Sequence, residues 1–138
     1  MNWLTWAILS AVFAGLTAVL AKVGVKDINS NLATAIRTTV VLVVAWLIAG
    51  CSSRQPLQTI PPRTWLFLGL SGLATCASWL CYFRALQIGE ASKVAPVDKL
   101  SVVVAMMLAA IFLGESLNRL HWIGGLLIVA GSVVLAIA

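Results

Sequence analysis

The sequence predicts an all-α integral membrane protein, a bundle of five transmembrane helices, and three observations lead there. Of the 138 residues, 62% are hydrophobic and 9% charged, with a mean hydropathy of +1.06; soluble domains run near about 45–50% apolar and about 25% charged. The apolar residues form five continuous runs, each close to the roughly 20 residues that a helix needs to cross an approximately 30 Å hydrocarbon core. Within the runs hydrophobicity does not alternate, which excludes the strands of a membrane β-barrel. Disorder is excluded too, because disordered chains are charged and poor in aliphatics. Five spans consume about 100 positions, so a single transmembrane domain over residues 1–138 is expected, with no room for a soluble catalytic domain.

The first run, residues 3–21, begins two residues after Met1 with no charged segment before it and no clear cleavage site. It reads as a retained helix rather than a signal peptide. A connector with Lys22, Lys26 and Asp27 leads to the second run, 32–50, whose one charge is Arg37. The connector Cys51–Arg63 is the longest, and Pro56, Pro61 and Pro62 are expected to stop a helix from passing through it. The third run is 64–86, with Arg84 near its end. The fourth, 92–113, contains Pro96, Asp98 and Lys99, and Gly114 is a natural stop. The fifth, 118–138, has no charge after Arg119. Trp3, Trp6, Trp46, Trp65 and Trp122 fall near run ends, where amphipathic rings favour the membrane interface; Trp79 lies deeper.

The net charge of +5 does not indicate nucleic acid, since the nine Lys and Arg are scattered singly and no basic run tracks a phosphate backbone. Cys51, Cys76 and Cys81 form neither a CxxC nor a disulfide framework. His121 is the only histidine, so no His cluster for a metal exists, and no nucleophile–base pair is in view. No enzyme activity, metal or cofactor is expected. Glu115 is read as favouring the N-terminus of the last helix through its dipole.

Five spans place the two ends of the chain on opposite sides of the membrane. The N-terminal side then receives Arg54, Arg63 and Arg119, and the other side Lys22, Lys26, Arg84 and Lys93. Orientation follows the excess of Lys and Arg in cytoplasmic loops. Three against four barely specifies one, and dual topology with antiparallel pairing becomes a reading to test.

Charge inside the bilayer costs about 2.5–3.5 kcal/mol per group on insertion scales. Arg37 lies six residues after Asn31 and Asp98 six after Ser92, so each is roughly 9 Å in from the same surface and a pair between them is expected. Lys99, about 100° further round a helix, is expected to point away from Asp98. On the third run Ser71, Thr75, Ser78 and Tyr82 share one helical face, bordered by Trp79. Thr34, Arg37 and Thr38 on the second run, and Asp98 and Ser101 on the fourth, add polar faces. Hydroxyl stripes also serve as interhelical hydrogen bonds; three polar faces together favour the lining of a substrate pathway. Arg84 and Lys99 complete the candidate site. The first run carries small-residue patterns, Ser10 with Ala14 and Ala18, and Ala11 with Gly15. The fifth carries Gly124 with Gly131 and Gly125 with Ser132, which suits a helix–helix or dimer interface.

The stretch from Tyr82 to Pro96, YFRALQIGEASKVAP, resembles the EamA domain of the drug/metabolite transporter superfamily. So do Phe112-Leu113-Gly114-Glu115, Trp122-Ile123-Gly124 and the segment from Leu127 to Gly131, and Asp98-Lys99-Leu100-Ser101 is similar to its single-domain, five-helix members. The resemblance implies one half of a ten-helix inverted-repeat transporter. A lone half needs an antiparallel partner to rebuild the cavity, in line with inverted-repeat logic. The superfamily's four-helix exporters depend on a first-helix glutamate; the first helix here has no carboxylate, so their cation exchange is not carried over.

The function expected is therefore secondary transport of a small polar metabolite, such as an amino acid, across a bacterial inner membrane by an antiparallel homodimer. Arg37, Arg84 and Lys99 favour a carboxylate-bearing substrate, and Asp98 either neutralises Arg37 or exchanges a proton. Export is the direction that the resemblance implies. A non-transporting membrane subunit and a flippase of lipid-linked substrates are the competing readings.

Overall fold

Long uninterrupted apolar runs have one way to satisfy their backbone polar groups in lipid, which is intrahelical hydrogen bonding. The computed structural model describes residues 2–52 and 56–138 and is helical along each of the five runs. The helices are α1 (Trp3–Gly24), α2 (Ser30–Ser52), α3 (Pro62–Ile88), α4 (Ala91–Asp98), α5 (Leu100–Phe112) and α6 (Arg119–Ile137), with one 3-10 turn at Leu57–Thr59. Taking Ala91–Phe112 as one span, five stretches among the described residues are long and apolar enough to cross a membrane. Most of their large apolar side chains are exposed; the buried apolar residues among those described are few, Phe83, Leu86, Ala18 and Ala33 in the spans and Val25 in the α1–α2 connector. A surface of that kind is stable only where lipid or protein covers it.

Helix ends differ from the expected ones for local reasons. The third helix starts at Pro62, two residues before the expected Thr64, because a proline at the first helical position loses no bond that a helix uses. The Pro61 carbonyl accepts the first N–H groups, from Thr64 at 3.0 Å and Trp65 at 3.3 Å. Asn29 caps α2: its backbone carbonyl accepts from Ala33 N at 2.9 Å, and its side chain from Asn31 N at 2.8 Å. At the end of α5, Gly114 adopts a positive φ of 68°, a turn that glycine makes without a Cβ penalty. It lets Glu115 N–H return to the Ala109 carbonyl at 3.3 Å.

Glu115 does not sit in the first turn of α6, contrary to the dipole role expected of it. Asn118 starts that helix by a reciprocal cap. Its side chain accepts from His121 N at 3.0 Å, and His121 Nδ1 accepts from Asn118 N at 3.1 Å.

The fourth span is the larger departure. It was expected to run unbroken over 92–113, and instead it stops at Asp98 and restarts at Leu100. Pro96 lies inside α4, where it supplies no N–H and crowds the carbonyl four residues back. Lys99 N–H bonds to the Pro96 carbonyl at 3.1 Å, an i to i−3 contact that tightens the turn.

By its internal contacts the chain divides into two units, Met1–Lys22 with Ile88–Ala138, and Val23–Gln87. In the first, α6 packs against both α4 and α5. Gly125 is buried there, and a Cβ at that position would lie 3.8 Å from Met106 Cε and 4.0 Å from Val103 Cγ2. Ser132, also buried, donates to the Pro96 carbonyl at 2.9 Å. Gly125 and Ser132, read from the sequence as dimer-interface residues, thus serve packing within one protomer. Smallness at 125 admits the α5 side chains, and the hydroxyl at 132 meets a carbonyl beside the helix break. Gly131 is exposed, and a Cβ on either Gly124 or Gly131 would meet nothing within 4 Å.

Candidate functional site

The unit Val23–Gln87 holds most of the residues expected to line a pathway. Arg37 is seven residues into α2, roughly 10 Å along the helix. Its guanidinium carbon lies 4.2 Å from the centroid of the Trp79 ring and 5.5 Å from that of Phe83. Trp79 is half-buried, unlike the five other tryptophans, all of which are exposed, consistent with interfacial seats for those five. A cation over an aromatic face gains about 0.5–2 kcal/mol, more when desolvated. Tyr82 packs edge-on against Phe83, with ring centroids 6.5 Å apart.

The hydroxyls on these helices bond to their own backbones. Thr34 Oγ1 donates to the Ser30 carbonyl at 2.9 Å, Thr38 Oγ1 to Thr34 at 2.7 Å, and Thr75 Oγ1 to Ser71 at 2.9 Å. Each donor is spent within its helix and each oxygen keeps its acceptor lone pairs. Thr34 is buried, whereas Ser71, Thr75 and Ser78 are exposed.

At the end of α3, Arg84 Nη1 donates to Gln87 Oε1 at 2.7 Å. The Gln87 amide in turn donates to the Ile28 carbonyl at 2.8 Å and, more weakly, to that of Val25 at 3.5 Å. Arg84 is therefore held by a neighbour that ties the α1–α2 connector to α3. Val25 and Leu86 beside this tie are fully buried.

The other unit holds Asp98, Lys99 and Ser101. Lys99 Nζ lies 3.3 Å from Asp98 Oδ2, which corrects the expectation that Lys99 points away. The helix ends between the two, and a four-carbon stem reaches back across the turn. The partners that Asp98 and Arg37 have within their own units are thus Lys99 and the Trp79 ring. Lys22 donates to the Gly89 carbonyl at 2.7 Å, and Ser101 is exposed. Of the cations counted for membrane orientation, Arg54 lies outside the described residues.

Two residues of this cluster, Phe83 and Gln87, are absent from the candidate site read from the sequence. Phe83 stands four after Trp79, the spacing of one helical face, so that signal was present. Gln87 had none, because its partners are backbone carbonyls of a connector sixty residues away along the chain. The break at Lys99 was half visible, in Pro96.

Comparison with known proteins follows the same line. The sequence matches the EamA-like transporter family over residues 1–137. It is 56% identical over 137 residues to a Sinorhizobium sp protein named "Uncharacterized transporter in cobO 3'region", covering 99% of this chain and 97% of that relative. No solved structure matches.

Proposed function

The chain belongs to the EamA-like transporter family, and from that premise we propose that this multi-pass membrane transporter moves a small polar metabolite by alternating access, as an antiparallel homodimer. The observation that carries the reading is the interrupted fourth span. Secondary transporters build their substrate and ion sites at discontinuous helices near mid-membrane, where unwound backbone and charged side chains are tolerated because they face a cavity. Here Asp98 and Lys99 sit at such an interruption, about 10 Å into the span from Ala91. The excess of cations over carboxylates in the chain, nine against four, favours a substrate bearing a carboxylate, such as an amino acid.

The near-even distribution of Lys and Arg between the two sides supports insertion in both orientations. An odd number of spans means that a fused duplicate carries inverted halves, and two separate copies reach the same arrangement by inserting in opposite orientations. The membrane assigned is the bacterial inner membrane and the direction is export. In this scheme the Asp98–Lys99 pair at the interruption places both a carboxylate and an ammonium beside the pathway.

Reconstitution of the purified protein alone into proteoliposomes tests the proposal. Saturable counterflow of labelled L-leucine or L-alanine is expected, reduced at least tenfold in Lys99→Ala. Absence of flux for both amino acids, with the protein folded and inserted, contradicts the reading.

A further inference from the structure

Charge is unevenly shared between the two units. Val23–Gln87 contains five Lys and Arg against a single carboxylate, Asp27, whereas the other unit contains four against three. Arg37 is the cation of that basic unit which stands well inside a span, and among the described residues no ion pair joins it to Asp27. A guanidinium at such depth is expensive without an anion. Its face is occupied, over Trp79 at 4.2 Å and Phe83 at 5.5 Å. The N–H donors of a guanidinium lie in its plane, so a cation seated on rings still presents a planar fork that matches a carboxylate.

We propose that Arg37, seated on Trp79 and Phe83, is a receptor for one carboxylate of a substrate whose remaining body is apolar. The inference deepens the transport reading above and rests on it. One carboxylate follows from the donors at hand. The hydroxyls of Thr34 and Thr38, which flank Arg37, are already donated to their own helix, and Arg84 Nη1 is engaged by Gln87. Among the described residues of this unit, Arg37 is the cation that stands well inside a span with its face on two rings, so the site offers one such fork. The apolar body follows from the Trp79 and Phe83 rings, which supply the adjoining surface.

Three matched probes test this on the full-length protein in nanodiscs: 4-methylpentanoate, L-leucine and 3-methylbutylamine. They share one branched alkyl body and carry a carboxylate, both groups, or an amine. Ligand-dependent rise in Tm is the readout, with succinate as a dicarboxylate. The two monocarboxylate probes are expected to stabilise saturably, and the amine and succinate are not. Arg37→Gln and Arg37→Lys are expected to weaken both monocarboxylates roughly tenfold or more, the latter because an ammonium cannot reproduce the fork. Trp79→Leu keeps the charge and removes its seat, and it carries the test if Arg37 variants fail to insert; weaker carboxylate binding is expected. The proposal is overturned by an amine as effective as the acids, by tighter binding of succinate, by no response to either monocarboxylate up to solubility, or by unchanged affinity in the variants. Carboxylate binding that survives without any flux removes the transport reading only. Flux of these acids that ignores Arg37 and Trp79 removes this inference only.

Discussion

Ser132 donates its hydroxyl to the Pro96 carbonyl across the α4–α6 contact, and Gly125 admits Met106 and Val103 about two turns earlier. Interhelical hydrogen bonds in membrane proteins contribute about 0.6 kcal/mol on average and up to about 1.7 kcal/mol. Ser132→Ala is therefore expected to lower unfolding stability by about 1 kcal/mol in a reversible denaturation assay, and Ser132→Thr to retain most of it. At Gly125 an added methyl finds ordinary contact distance, so Gly125→Ala is tolerated. Gly125→Leu overpacks the seam and is expected to cost about 1–3 kcal/mol. The sequence displayed both residues as a small-residue pattern but not what they face, since seven-residue spacing describes a stripe and names no partner. For Arg37 and Trp79 the residue types were legible and the pairing was not; depth along the helices suggested Asp98, while within its unit the guanidinium sits on a ring.

Elements were legible where one local rule governs and were misjudged where two compete. Gly114 ended a helix as expected, since φ of 68° suits a residue without a Cβ. Pro62 closes the connector to the helix before it and opens the helix after it, because the cost of proline depends on whether its missing N–H is needed. Pro96 signalled trouble in the fourth span, but apolar continuity over 92–113 outweighed it. The structure resolves the conflict by stopping α4 at Asp98 and handing the Pro96 carbonyl to both Lys99 N–H and Ser132. Pro96→Ala restores a helical N–H and is expected to stiffen the interruption, lowering flux severalfold in proteoliposomes with expression unchanged. At the start of α6, Asn118→Ala removes a reciprocal cap and is expected to cost about 1 kcal/mol. Asn118→Asp, which keeps an acceptor for His121 N–H, is expected to restore most of that loss in the same denaturation assay.

At the scale of the whole molecule, five spanning stretches were plain from composition, because lipid leaves the backbone no alternative to the helix. Assembly was not legible in the same way. The residues thought to mark a dimer interface divide between intraprotomer packing, at Gly125 and Ser132, and open positions at Gly124 and Gly131. The case for an antiparallel pair therefore rests on charge and on helix number. Three cations on one side against four on the other leave orientation nearly undetermined, so a small change should decide it. Adding two lysines to the N-terminal side is expected to fix a single orientation and abolish flux, and co-expression with an oppositely biased variant to restore it.

The most direct measurement is topology in living cells, with a cytoplasm-active and a periplasm-active reporter fused separately to Ala138. An antiparallel homodimer predicts substantial signal from both fusions. Signal from only one, at equal expression, contradicts it.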